Sequence, residues 1–290
     1  MEKTLLQMNT VFISILIESL PFVLIGVFIA GIIQMFVTEQ MVARIIPNNR
    51  FLAVLMATFL GALFPACECG IVPIVRRLVS KGVPIYAGIA FMLTGPVINP
   101  VVLFSTYVAF GNQWDMMIYR GGLALIVAAL VGIALSFQYK NEQLLIHPIP
   151  SSALAQKTPF GKKLLGTLTH AVDEFFSVGK YLVIGALVAA AMQTFIKTST
   201  LLEIGQTEAA SSLVMMGLAF VLSLCSEADA FIASSFQTTF TTGSLVAFLV
   251  YGPMLDVKNT LMMLGTFKKR LVISIIIYVT ILVFTGSLFF

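Results

Sequence analysis

Eight apolar stretches dominate the chain, at roughly 11–36, 51–80, 84–111, 119–138, 171–196, 211–238, 243–267 and 270–290. A helix needs about 20 mainly apolar residues to cross a bilayer, and each stretch is long enough. Only 10% of residues are charged, against about 25% in soluble domains, so the chain cannot cover a water-facing surface. The expected fold is all-α and polytopic. The net charge of +4 does not imply nucleic acid, because the basic residues sit in short runs between apolar segments, as inside-facing loops do. The first stretch contains Glu18 and is too long for a signal-peptide core. Gly161-Lys162-Lys163 lacks the remaining residues of a P-loop, so no ATPase is expected within the chain. Three cysteines give no disulfide framework, and no cofactor is expected.

The one long polar connection, 139–170, carries Lys140, Lys157, Lys162, Lys163, Pro148, Pro150 and Pro159. It separates a first membrane repeat, 1–138, from a second, 171–290. A shift of 159 takes Gly26, Gln34 and Phe36 to Gly185, Gln193 and Phe195, and Ala66-Cys67-Glu68 to Cys225-Ser226-Glu227. A shift of 157 takes Gly95-Pro96-Val97-Ile98-Asn99 to Gly252-Pro253-Met254-Leu255-Asp256. Internal repeats of this kind build many secondary transporters.

The basic clusters bear on orientation. If all eight stretches spanned, Arg76, Arg77 and Lys81 would lie opposite Lys268, Lys269 and Arg270, against the positive-inside tendency. If stretches 2 and 6 are re-entrant hairpins, both clusters fall on one side, together with Arg44, Arg50 and the 139–170 connection, which is then cytoplasmic. The repeats become inverted, each with three spans and one re-entrant or broken helical hairpin, turning at Pro65–Gly70 and at Cys225–Asp229. Two plain kinked helices are the alternative.

Four places invite irregular backbone at membrane depth: Pro65–Gly70 with Pro73; Thr94–Pro100, including Gly95, Pro96 and Pro100; Cys225–Asp229; and Gly252-Pro253. Proline removes a helix donor and glycine permits unusual dihedrals. Breaks repeated in both halves point to a transport site. The polar residues gather there too: Glu68, Asn99, Glu227, Asp229, Asp256 and Lys258. A charge at the bilayer centre costs at least about 2.5–3.5 kcal/mol, so each needs a partner, a proton or water. Lys258 would pair with Asp256 only across a bend, or with Glu68 or Glu227. All three cysteines, Cys67, Cys69 and Cys225, fall in the two expected tips. Cysteine packs as a small apolar residue, or these thiols with Glu68 and Glu227 form a soft-metal or metalloid site. Cys67 and Cys69 would converge in a turn but point about 200° apart on a helix. Glu18, Asp173, Glu174 and Lys180 line the route or sit at interfaces. His147 and His170 are weak ligand candidates. Trp114, Tyr107 and Tyr119 read as interfacial belt residues, and Met92 and Met254 lie beside the breaks.

At Phe64–Pro73, Thr94–Pro100 and Ser226–Phe231 the sequence resembles the predicted permease family that includes YraQ and the organoarsenical efflux permease ArsP. The resemblance covers nearly the whole chain. It implies a bacterial cytoplasmic-membrane permease and, for the arsenical branch, export of trivalent arsenicals with cysteines taking part. It also implies, for some relatives, a smaller second membrane subunit. The expected function is a secondary transporter exporting a small soft-metal, metalloid or organoarsenical solute, with protons on the tip carboxylates. A channel, or a subunit of a two-component permease for another solute such as zinc, is the alternative. An enzyme is not expected: Cys67 and Cys69 are C-x-C rather than a redox C-x-x-C. Expected partners are membrane lipid, a small solute or ion, a second copy of the chain, and a second membrane subunit.

Overall fold

The computed structural model describes residues 2–47, 49–64, 67–139, 144–145, 160–195 and 208–290. Pro65, His147, Lys197 and most of the polar connection lie outside them. Among the described residues the chain is all-helical: α1 (Glu2–Phe36), α2 (Glu39–Ile45), α3 (Arg50–Leu63), α4 (Glu68–Ser80), α5 (Ile85–Ile98), α6 (Pro100–Ala109), α7 (Trp114–Gln138), α8 (Phe160–Phe195), α9 (Glu208–Leu222), α10 (Ser226–Ser235), α11 (Thr242–Met254), α12 (Val257–Thr266) and α13 (Lys269–Ser287). Among the described residues five helical stretches, rather than the eight apolar stretches of the sequence, are long and apolar enough to cross a membrane: Lys3–Phe36, Ile85–Ala109, Trp114–Gln138, Gly166–Phe195 and Lys269–Ser287. Helix α8 begins inside the stretch assigned to the polar connection, so that connection is shorter than its composition suggests.

Contacts along α5 give the course of its neighbours. Gly61 of α3 lies against Phe91 and Thr94, and Val54 meets Ala90 where both approach Gly132 of α7. Helix α3 therefore runs in the same direction as α5. Helix α4 runs the opposite way, with Ile71 at Gly95 and with Val75 and Val79 at Gly88. The turn Lys81–Pro84 then reverses the chain, and Gly82 there has φ 99°, a conformation open to glycine at no steric cost. In the second half, Ser287 donates to Ser212 of α9 and approaches Gly243 of α11, while Ala219 of α9 lies near Gly252. Helices α9 and α11 thus run alongside each other, and α10 returns toward the start of α11.

The α1 and α8 helices pair antiparallel, Met35 against Gly166 and Ile15 clustered with Ala186 and Ala189. Helix α1 also crosses α4 at backbone distance. A Cβ at Gly26 would lie 2.7 Å from the Cα of Gly70, and one at Gly70 would lie 2.7 Å from the carbonyl oxygen of Phe22. Small residues at helix crossings are how membrane helices gain packing without a hydrophobic drive between them.

The helix ends fall in or beside the stretches expected to break, but several of the glycines and prolines named there lie within helices. Glu68, Cys69 and Gly70 form the first turn of α4, and Pro73 lies within it. Ser226 to Asp229 form the first turn of α10. Gly95 and Pro96 lie inside α5, and Gly252 and Pro253 inside α11. A proline deletes one donor to the carbonyl four residues back, which a helix near its end tolerates. One helix ends with Phe64 as its cap residue and another starts after Cys67, and the other changes of helix lie at Asn99, Ser223–Cys225 and Leu255–Asp256. Pro100 stands at the first position of α6, where the missing N–H is an orphan in any case.

Candidate functional site

Four of the helices begin at these breaks, and their caps come in two kinds. Asn99 accepts from the Val102 amide at 2.9 Å, and Asp256 accepts from the Asn259 amide at 2.5 Å. Asn and Asp are preferred caps because a short side-chain oxygen reaches an orphan N–H. Cys67 and Cys225 hold the corresponding places before α4 and α10 in extended backbone, with no capping hydrogen bond from their side chains. Each helix start carries roughly half a positive charge. The acids stand there accordingly: Glu68 first in α4, Glu227 and Asp229 in the first turn of α10, Asp256 as the cap of α12.

Three of these starts, those of α4, α10 and α12, are joined. The hydroxyl of Ser226 donates to Glu68 Oε2 at 3.2 Å, so the first residues of α4 and α10 touch. Glu68 and Ser226 each follow a cap cysteine and open a helix, whereas the sequence motifs aligned Glu68 with Glu227. Lys258 places Nζ 3.7 Å from Glu68 Oε1 and 3.6 Å from Asp256 Oδ2. All three side chains are buried. A bend at the cap of α12 brings Lys258 to Asp256, and a second acid arrives from the other half. Ser223, at φ 47°, accepts from the Val257 amide at 3.1 Å and secures the same break. Asp229 is buried against Gly252, and its Oδ2 has no hydrogen-bond partner.

The thiols divide between the tips. Cys67 and Cys69 flank Glu68 at the start of α4, Cys67 in extended backbone before the helix and Cys69 within its first turn. Cys225 Sγ is 3.1 Å from Glu227 Oε2. All three cysteines are buried and free. Among the described residues no three His, Cys, Asp or Glu side chains are arranged to hold a metal ion, so Cys67, Cys69, Glu68 and Glu227 do not form one ligand set here. Met92 and Met254 are buried beside the breaks. Glu18 is exposed on α1, and Asp173 and Lys180 are exposed on α8.

Two arginine clusters were not foreseen as part of this framework. Arg120 of α7 is fully buried. It donates to Thr106 Oγ1 of α6 at 2.8 Å and to the Ser226 carbonyl at 3.1 Å. The available signal was a lone arginine within an apolar stretch, at the end opposite the Arg76–Lys81 and Lys268–Arg270 clusters. Arg76 and Arg77, read as loop charges, both donate to buried Glu174 of α8, Arg76 at 2.9 Å. Lys81 donates to the carbonyl of Gln34 at 2.8 Å. These contacts gather at the end of the bundle where Arg50 reaches Ser136 and Tyr139 reaches Arg270. The opposite end holds an open polar cavity of about 690 Å³ bounded by Gln113, Asp115, Met116, Gln237 and Phe240.

Residues 4–290 match the family model described as "Predicted permease", ArsP_1. The chain belongs to this predicted permease family. It is 64% identical over 287 residues to the UPF0718 protein YcgR of Bacillus subtilis, covering 99% of this chain and 98% of that protein. It is 44% identical over 281 residues, 94% of this chain and 91% of the other, to a Streptococcus mutans protein described as a subunit of a two-component membrane permease complex. A Methanocaldococcus jannaschii UPF0718 protein is 22% identical over 139 residues, 47% of this chain and 38% of that one. No solved structure matches. Family membership and the apolar helices make this a multi-pass membrane protein of permease type.

Proposed function

We propose that this permease is a secondary transporter whose solute passes between the starts of α4, α10 and α12. The observation that carries the reading is the Ser226–Glu68–Lys258–Asp256 chain, which joins the two halves of the protein at their helix breaks. Broken helices with polar ends facing one another are how transporters present a site within a membrane. The element order supports two repeats, 1–138 and 171–290, joined by the polar connection. The pair α3 and α4 opens toward the Lys81 end, and α9 and α10 toward the Trp114 end, which favours inverted repeats. On this reading α1, α5–α6 and α7 cross in the first repeat, α8, α11–α12 and α13 in the second, and two hairpins are re-entrant. The basic residues at the Lys81 end then face the cytoplasm of a bacterium.

Three thiols beside carboxylates favour a small thiol-seeking solute, a trivalent arsenical or another soft ion, moved outward with protons exchanged on Glu68 or Glu227. Resistance of a deletion strain to a panel of trivalent arsenicals, zinc and cobalt tests this. Complementation by the wild type and failure by Cys67→Ser or Cys69→Ser is expected for at least one compound. Equal resistance in all strains to every compound would remove the thiol reading. A second reading takes its support from the Streptococcus mutans relative: the chain acts with a second membrane subunit, and purified alone in liposomes it would not transport.

A further inference from the structure

We propose that Arg120 is a positioning residue that closes the route from the Trp114 end by holding the α10 tip against α6 and α7. This rests on the transport reading above, but its test does not. Buried arginine in a membrane protein is costly unless its donors are used, and local sequence gives no reason for it here. Helix α7 is otherwise apolar at this depth, with Leu123, Ala124 and Val127 buried on the following turns. The guanidinium instead forks between two elements. One nitrogen holds Thr106 in α6, whose own hydroxyl returns to the Val102 carbonyl, and the other holds the Ser226 carbonyl. Ser226 is the residue whose hydroxyl meets Glu68. One side chain thus fixes the tip of the second half against the first.

The polar cavity at the Trp114 end gives the fork its place on a route. Met116 bounds that cavity and is buried, and Arg120 stands one helical turn deeper on the same face of α7. Gln237 and Phe240, just beyond the far end of α10, bound the cavity as well. Helix α10 therefore runs from the cavity to the central chain, and Arg120 meets it at the inner end. The Nε of Arg120 and Oδ2 of Asp229, one turn along α10, are buried without hydrogen-bond partners. Release of the fork would leave α10 free to swing and would join the cavity to Cys225, the residue before Ser226.

Cys225 is a native reporter of that opening. The full-length protein, in membrane vesicles of each orientation, is treated with a membrane-impermeant maleimide, and peptide mass spectrometry reads which cysteine reacts. In the wild type Cys225 should react slowly from both sides. In Arg120→Gln its rate should rise about tenfold or more from the Trp114 end alone, the order expected on losing charge-assisted hydrogen bonds. Thr106→Val, a milder change, should give a smaller rise from the same side. Arg120→Lys should fail to restore closure, because an ammonium lacks the planar fork. Unchanged Cys225 protection in a folded Arg120→Gln protein would overturn the proposal. So would an equal rise from both faces, which marks general loosening. Should Arg120→Gln not fold, Thr106→Val decides on the same criteria. A closed gate with no transport would instead count against the function proposed above.

Discussion

Replacing Lys258 with Met should destabilise the protein far more than replacing either of its acidic partners. The ammonium stands 3.7 Å from Glu68 and 3.6 Å from Asp256. At an effective dielectric near 20, each separation corresponds to about 4.5 kcal/mol of gross attraction. Most of that offsets the cost of burying the charges, so the pairs contribute little net stability. Removal of one partner is different, because it leaves uncompensated buried charge at about 3–5 kcal/mol. With two acids and one base, the outcome depends on which partner goes. Lys258→Met leaves two carboxylates facing each other and should cost the full amount. Glu68→Gln leaves a one-to-one pair and keeps an acceptor for Ser226, so it should cost less than about 1.5 kcal/mol. The double variant should recover only the part of the Lys258→Met loss that comes from two like charges facing each other, because Asp256 stays buried and unpaired. Thermal unfolding of the four proteins in one detergent measures this. Equal losses for Lys258→Met and Glu68→Gln, or no recovery in the double variant, would refute the two-acid, one-base arrangement.

Glu174→Gln should cost about 3–5 kcal/mol by stranding Arg76 and Arg77 and should lower the unfolding midpoint; an unchanged midpoint would show that the arginines reach water. Gly26→Ala should cost at least about 1–3 kcal/mol, because its Cβ meets the Gly70 backbone rather than a side chain able to move. Unchanged stability would place α1 and α4 farther apart.

The helical class and the placing of polar residues at helix starts were legible because they rest on strong signals: long apolar runs interrupted by Gly-Pro and Cys-Glu motifs. The positions of the breaks were less so. Proline and glycine mark where a helix is weakened, whereas the helices end where Asn99 and Asp256 offer caps or where the chain must turn. Sequence matching aligned Glu68 with Glu227, whereas Glu68 and Ser226 are the residues that each open a helix, after Cys67 and Cys225. Arg120 and the Glu174 cluster were missed since their partners are 14 and about 97 residues away in sequence, and such distant pairing has no periodicity to reveal it. The placing of Cys225 against Glu227 depends on side-chain packing that spacing does not encode.

The central claim is that polar residues from both halves meet inside the bilayer. A density map of the full-length protein in a lipid nanodisc, with an antibody fragment bound for size, measures it directly. The account predicts Ser226 within hydrogen-bonding distance of Glu68, Lys258 between Glu68 and Asp256, and the lipid belt centred on their level. Separated tips, or a belt that leaves this chain of residues in bulk water, would contradict it.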